Sequence, residues 1–135
     1  MISRIEQDRL DVGKYLPEDT RHVVMNGMDV YVFKKTTGVN MIFEIAICYS
    51  SGEGGYCASL VMPKIEDIKS NSHTMFLSED GVLCIGPYGS RVCETLKESF
   101  LKSCMWAEGV AFMLKAKQNC DPDWDKFPFP MRGGV

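Results

Sequence analysis

His73 and Cys84 stand eleven positions apart in the stretch Ser72–Pro87, SHTMFLSEDGVLCIGP, and of all the residues here they are the pair best suited to chemistry. An Asp80-Gly81 turn joins them. Cys84 falls near the end of a short apolar run, Val82-Leu83-Cys84-Ile85, and Gly86-Pro87 follows at once. A cysteine at the mouth of a turn is placed to react, whereas one in mid-strand or mid-helix is placed to pack. Backbone N–H groups nearby, and a helix expected to start at about Ser90, would stabilise its thiolate and lower its pKa. A histidine this close can order the loop and help to position the thiolate. The bland alternatives are a buried Cys84 packed with Leu83 and Ile85, and a structural His73 hydrogen-bonded to the loop. The only other histidine, His22, reads as a strand-edge surface residue.

The other five cysteines, at 48, 57, 93, 104 and 120, call for a different reading. An even total suggests disulfides only in a secreted chain, and the charged N-terminus MISRIEQDRLDVG lacks the apolar segment of a secretory signal. Structural zinc wants close pairs such as C-x-x-C, but here the nearest cysteines, Cys48/Cys57 and Cys84/Cys93, are nine apart. Free thiols acting as small hydrophobes are therefore expected. Cys93 and Cys104 fall on the inward face of a helix, Cys48 and Cys57 may meet across one hairpin, and Cys120 lies in the tail.

These residues must be positioned by the elements around them. Residues 1–16 read as a short helix capped by Ser3, with Ile2, Ile5 and Leu10 inward and Pro17 closing it. His22–Thr36 reads as strand, with Met28, Val30 and Val32 on one face and Tyr31 and Phe33 on the other, and with Asn26-Gly27 marking a turn or bulge. Met41–Ser50 alternates Met41, Phe43, Ile45, Ile47 and Tyr49 on one face. Ser51–Gly55 is a hairpin loop, and Tyr56–Met62 returns until Pro63 stops it. The expected sheet is an antiparallel meander of three strands. A polar connection, Lys64–Asn71, leads to His73. A long helix from about Ser90 to Gln118 then carries Cys93, Leu96, Phe100, Cys104, Ala107, Ala111 and Leu114 on one face, with Ser90 as N-cap and Gly109 as a possible bend. The tail, NCDPDWDKFPFPMRGGV, reads as irregular. Strands followed by a helix indicate an α+β domain with the helix packed on one face of the sheet.

The chain has 135 residues, 45% of them hydrophobic and 24% charged, with 15 basic against 18 acidic side chains and a net charge of −3. One domain, 1–135, is expected. The acidic balance and the absence of a basic cluster argue against a nucleic-acid or membrane-surface partner, and no run reaches a membrane span. A cytoplasmic protein is expected.

Pro63, His73 and Gly81-Val82-Leu83-Cys84-Ile85, taken with this order of elements, resemble the ubiquitin-conjugating enzymes, and more closely their compact bacterial relatives. Trp106 in the following helix and Trp124 beyond it add to the likeness, which spans roughly residues 22–125 with a specific part at 73–85. The resemblance implies a UBC-like fold and a cysteine-dependent acyl transferase. Cys84 would carry the C-terminus of a partner protein as a thioester and pass it to a lysine amine, with His73 as its helper. Ser78, Asp80 and Tyr88 are candidates for positioning the amine, and backbone N–H groups near Ile85–Gly89 for holding the oxyanion. No metal or organic cofactor is implied. The partner would be a ubiquitin-like protein or a cyclic-oligonucleotide synthase, with or without an activating enzyme, in bacterial anti-phage defence. The eukaryotic enzymes follow the histidine with Pro-Asn, where this chain has Thr74-Met75. That departure fits the bacterial forms or, alternatively, a catalytically inactive binding module. The C-terminal Arg132-Gly133-Gly134-Val135 resembles a conjugatable tail, although two terminal glycines usually provide flexibility alone.

Overall fold

The computed structural model describes residues 2–65, 68 and 76–124; His73 and the tail beyond Trp124 lie outside the described residues. Helix α1 (Arg4–Tyr15) begins at Ser3, whose hydroxyl accepts the Glu6 N–H at 3.2 Å, the arrangement that an S-x-x-E sequence favours. The inward face differs from the expected one. Ile2, Ile5 and Leu10 are exposed, and the buried residue of the helix is Asp8. Asp8 accepts from the Tyr56 hydroxyl and pairs with Arg4 at 2.6 Å, which turns Val12, Tyr15 and Leu16 toward the core. A charged residue at the centre of the inward stripe hides that stripe from any reading of hydrophobic spacing.

The sheet has four antiparallel strands in sequence order: β1 (Arg21–Met25), β2 (Met28–Thr36), β3 (Ile42–Ser50) and β4 (Gly55–Met62). The extra strand arises at Asn26-Gly27. Both residues have positive φ, 53° and 77°, so they form a two-residue hairpin turn of the kind that Asn-Gly favours, and Met25 pairs with Met28 across it. The single strand expected over His22–Thr36 is therefore a hairpin. The alternation in β3 holds, with Phe43, Ile45 and Ile47 fully buried on the inner face beside Tyr31 and Phe33 of β2 and Tyr56 and Ala58 of β4.

Helix α2 (Leu96–Gln118) covers that inner face, which makes the fold α+β. It starts six residues later than Ser90, because Thr95 accepts the Glu98 N–H at 3.1 Å and forms the cap. Gly109 is buried and does not interrupt it. The buried stripe runs through Leu96, Ser99, Ser103, Trp106, Val110 and Met113, while the expected Phe100, Cys104 and Leu114 sit half-buried on its flank. Two serines in the stripe disguise it. The Ser103 hydroxyl donates back to the Ser99 carbonyl at 2.6 Å, so a polar side chain is accommodated inside. Trp106 meets Phe43 edge-on at 5.5 Å, and Phe33 meets Phe100 at 4.9 Å, joining α2 to β2 and β3. No helix among the described residues is long and apolar enough to cross a membrane.

Candidate functional site

Residues 76–93 are stitched to the outer edge of β4. Leu60 N–H donates to Gly81 C=O, Leu83 N–H to Ala58 C=O, and Tyr56 and Cys93 exchange bonds in both directions, all at 2.8–2.9 Å. Within this segment residues 76–84 fold into a small hairpin. Cys84 N–H donates to Phe76 C=O, Ser78 N–H to Val82 C=O, and Leu77 bridges Leu83. The expected Asp80-Gly81 turn is its tip, with Gly81 at φ 89° where a side chain would be strained.

Cys84 sits on the returning arm of this hairpin. Its neighbours Leu83 and Ile85 are 0% and 1% exposed and belong to the core, whereas Cys84 itself is half-buried. Beyond it the chain makes a tight turn at Pro87–Gly89, closed by Gly86 N–H to Ser90 C=O at 2.8 Å and Gly89 N–H to Gly86 C=O at 3.0 Å. Gly86 has no room for a side chain, since a Cβ there would lie 2.0 Å from the Val92 carbonyl oxygen.

The electrostatics differ from the expectation. The helix start placed next to Cys84 is at Leu96, and the intervening turn is a single 3-10 turn, so no helix N-terminus faces the thiol. Burial pushes the Cys84 thiol above its ordinary pKa. Arg91 opposes this and Asp80 adds to it. Arg91 is the cation of the site and was not singled out by the sequence. Its guanidinium holds Asp80 through two bonds of 2.9 and 2.7 Å, Ser78 Oγ at 3.2 Å, and Glu53 Oε1 in the β3–β4 loop at 2.9 Å. It thus clamps the tip of the thiol-bearing hairpin to the neighbouring loop. With Arg91 as its main cause, the Asp80 carboxyl is held far below the usual carboxylate range. Partners eleven and thirty-eight positions away leave no local spacing to betray such a clamp.

Of the expected site residues, Cys84, Ser78 and Asp80 share this hairpin. Ser78 and Asp80 already serve its tip: the Ser78 hydroxyl contacts the Asp80 carboxylate and accepts the Val82 N–H at 3.1 Å. Tyr88 is 88% exposed on the following turn, at φ 57°. His73 lies outside the described residues.

The remaining cysteines are free thiols. Cys48 and Cys57 do face each other across β3 and β4. Cys93, expected on the helix, precedes it and is buried against β4 through its bridge to Tyr56, which raises its pKa to about 11. Cys104 is half-buried and Cys120 exposed. Among the described residues no group of three or more His, Cys, Asp and Glu side chains could hold a metal ion. No protein-family model, curated protein or solved structure matches the chain.

Proposed function

We propose that this chain is an acyl-transfer protein of the ubiquitin-conjugating type, with Cys84 as its nucleophile. The observation that carries the proposal is the placement of Cys84: half-buried between two core residues, on a hairpin fixed to the sheet edge and clamped by Arg91. The order of elements, a helix, a four-stranded meander, the cysteine hairpin and a long helix, supports the same reading. The Cys84 thiolate would attack an activated C-terminal carbonyl, an adenylate or a thioester, expelling AMP or a thiol. A lysine amine would then take the acyl group and release Cys84. Gly86 and Gly89 spend their N–H groups inside the turn and Pro87 has none, which narrows the expected oxyanion donors to Ile85 and Tyr88. The proposed partner is a ubiquitin-like protein or a cyclic-oligonucleotide synthase, and the setting is bacterial anti-phage defence in the cytoplasm, where free thiols persist.

A second reading, a binding module without catalysis, is favoured by the raised pKa of Cys84 and by Thr74-Met75 in place of Pro-Asn. Co-expression with neighbouring gene products, followed by non-reducing gels and mass spectrometry, separates the two. Transfer predicts a reducible adduct on Cys84, a more stable oxyester in Cys84→Ser, none in Cys84→Ala and a weaker one in His73→Ala. An adduct that survives Cys84→Ala would sink the transferase reading in favour of the binding module.

A further inference from the structure

Cys48 and Cys57 are directly opposite in the β3–β4 ladder. Tyr56 turns both its N–H and its C=O outward to Cys93, so the backbone groups of Cys57, one residue on, point toward β3. The pair therefore occupies a hydrogen-bonded site, where opposing Cα atoms stand about 5.5 Å apart, within the span of a disulfide. Both side chains lie on the sheet face opposite α2, because Tyr56 and Ala58 on either side of Cys57 face the core. Cys48 is half-buried and within reach of a small reagent, whereas Cys57 is 4% exposed. The Cys57 thiol donates to Glu53 Oε2 at 3.4 Å, and Oε1 of the same carboxylate accepts from Arg91 Nε.

We infer that Cys48 and Cys57 close into a reversible cross-strand disulfide under thiol oxidation, and that Glu53 and Arg91 transmit the closure to Cys84. The oxidant is a low-molecular-weight disulfide. The Cys48 thiolate attacks one of its sulfurs, forming a mixed disulfide and expelling one small thiol. Cys57 gives its proton to Glu53, and its sulfur displaces the second small thiol. Two protein thiols are oxidised and one small disulfide is reduced to two thiols. Burial raises both protein thiols, Cys57 to about 12, so the exchange is slow and the pair responds to sustained oxidation. Once closed, the bond removes the S–H donor from Glu53. Its freed oxygen then turns to Arg91, and the positive field that favours the Cys84 thiolate weakens.

The test uses the full chain, incubated with glutathione disulfide, quenched with N-ethylmaleimide and mapped. Both cysteines fall between Lys35 and Lys64, so trypsin leaves them in one peptide; glutamyl cleavage after Glu53 separates them. The expected product is a 48–57 link that dithiothreitol reverses and Cys48→Ser abolishes, together with iodoacetamide labelling of Cys84 slowed by about twofold or more in the oxidised wild type. Links to Cys84 or Cys104 instead, or two alkylatable thiols after Cys120 has been glutathionylated, would overturn the pairing. An unchanged Cys84 rate in linked protein would overturn the transmission. The labelling rate needs no acyl donor, so this inference and the transfer reading fail separately.

Discussion

Replacing Leu96 and Lys97 in turn by Asp puts one charge at adjacent positions of the first turn of α2, one facing the core and one facing solvent. Leu96 is 1% exposed within the main core cluster. Removing the leucine there costs about 2–5 kcal/mol, through lost transfer free energy and the void left behind. The incoming carboxyl either stays charged and desolvated or takes up a proton, and both cost more. One term opposes: an acidic group in the first turn gains about 0.3–1 kcal/mol from the free N–H groups of the helix end. The sum remains a loss of at least about 2–4 kcal/mol, against a stability of about 5–15 kcal/mol for such a chain. At Lys97 the same helix-end gain meets a different loss. Lys97 Nζ stands 4.8 Å from the centroid of the Tyr15 ring, a cation–π contact of about 0.5–1 kcal/mol at an exposed site. Gain and loss cancel to within about 0.5 kcal/mol. In urea unfolding followed by circular dichroism, with a slope of about 1–3 kcal/mol per molar, Leu96→Asp should lower the midpoint by about 1–2 M. Lys97→Asp should leave it nearly unchanged. Equal midpoints for the two variants would refute the assignment of the buried face.

Three further outcomes follow from the geometry. Arg91→Ala should shift the pH midpoint of Cys84 alkylation upward, since Arg91 supplies the term that opposes burial; stopped-time iodoacetamide mapping across pH 7–10 checks this, and an unchanged midpoint would remove Arg91 from the site. Gly86→Ala should lower the melting temperature and alter Cys84 labelling, because the new methyl would meet the Val92 carbonyl, while Gly13→Ala, with open space around it inside α1, should stabilise by about 0.5–1 kcal/mol. Asp8 has its pKa raised by burial, so the folded state binds its proton more tightly than the unfolded chain does. Its contribution is therefore fullest below the ordinary carboxylate range and falls as pH rises through the folded value. Melting curves of wild type and Asp8→Asn should converge or cross in favour of the wild type as pH drops from 7 toward 4, and a constant difference would contradict that.

How much the sequence disclosed depended on whether a signal was local. Period-two alternation in β3, the Ser3 cap and the Asp80-Gly81 tip all depend on residues a few positions apart, and each stands where it was read. The α2 stripe was displaced because Ser99 and Ser103 look polar while their small side chains fit the core. The start of α2 was misread for a related reason: Ser90 and Thr95 are both plausible caps, and the bonds between Cys93 and Tyr56 commit the residues before Thr95 to the sheet edge. The surroundings of Cys84 were the least legible. Its exposure follows from alternation against buried Leu83 and Ile85, but its charge environment comes from Arg91, Asp80 and Glu53, which only the folded chain brings together.

The bonds between residues 81–93 and β4 also bear on how the nucleophile moves. Freeing Cys84 would mean unzipping Leu83 from Ala58, Gly81 from Leu60 and Cys93 from Tyr56, which would lay bare one side of a central strand. Such an opening belongs to the cooperative unit of the sheet rather than to a fluctuating loop, so the amides of Leu83 and Cys93 should exchange with solvent about as slowly as those of β4 itself. A thiol carried in this way presents one fixed direction of approach, and a partner must conform to the edge, because the edge does not remould itself around the partner.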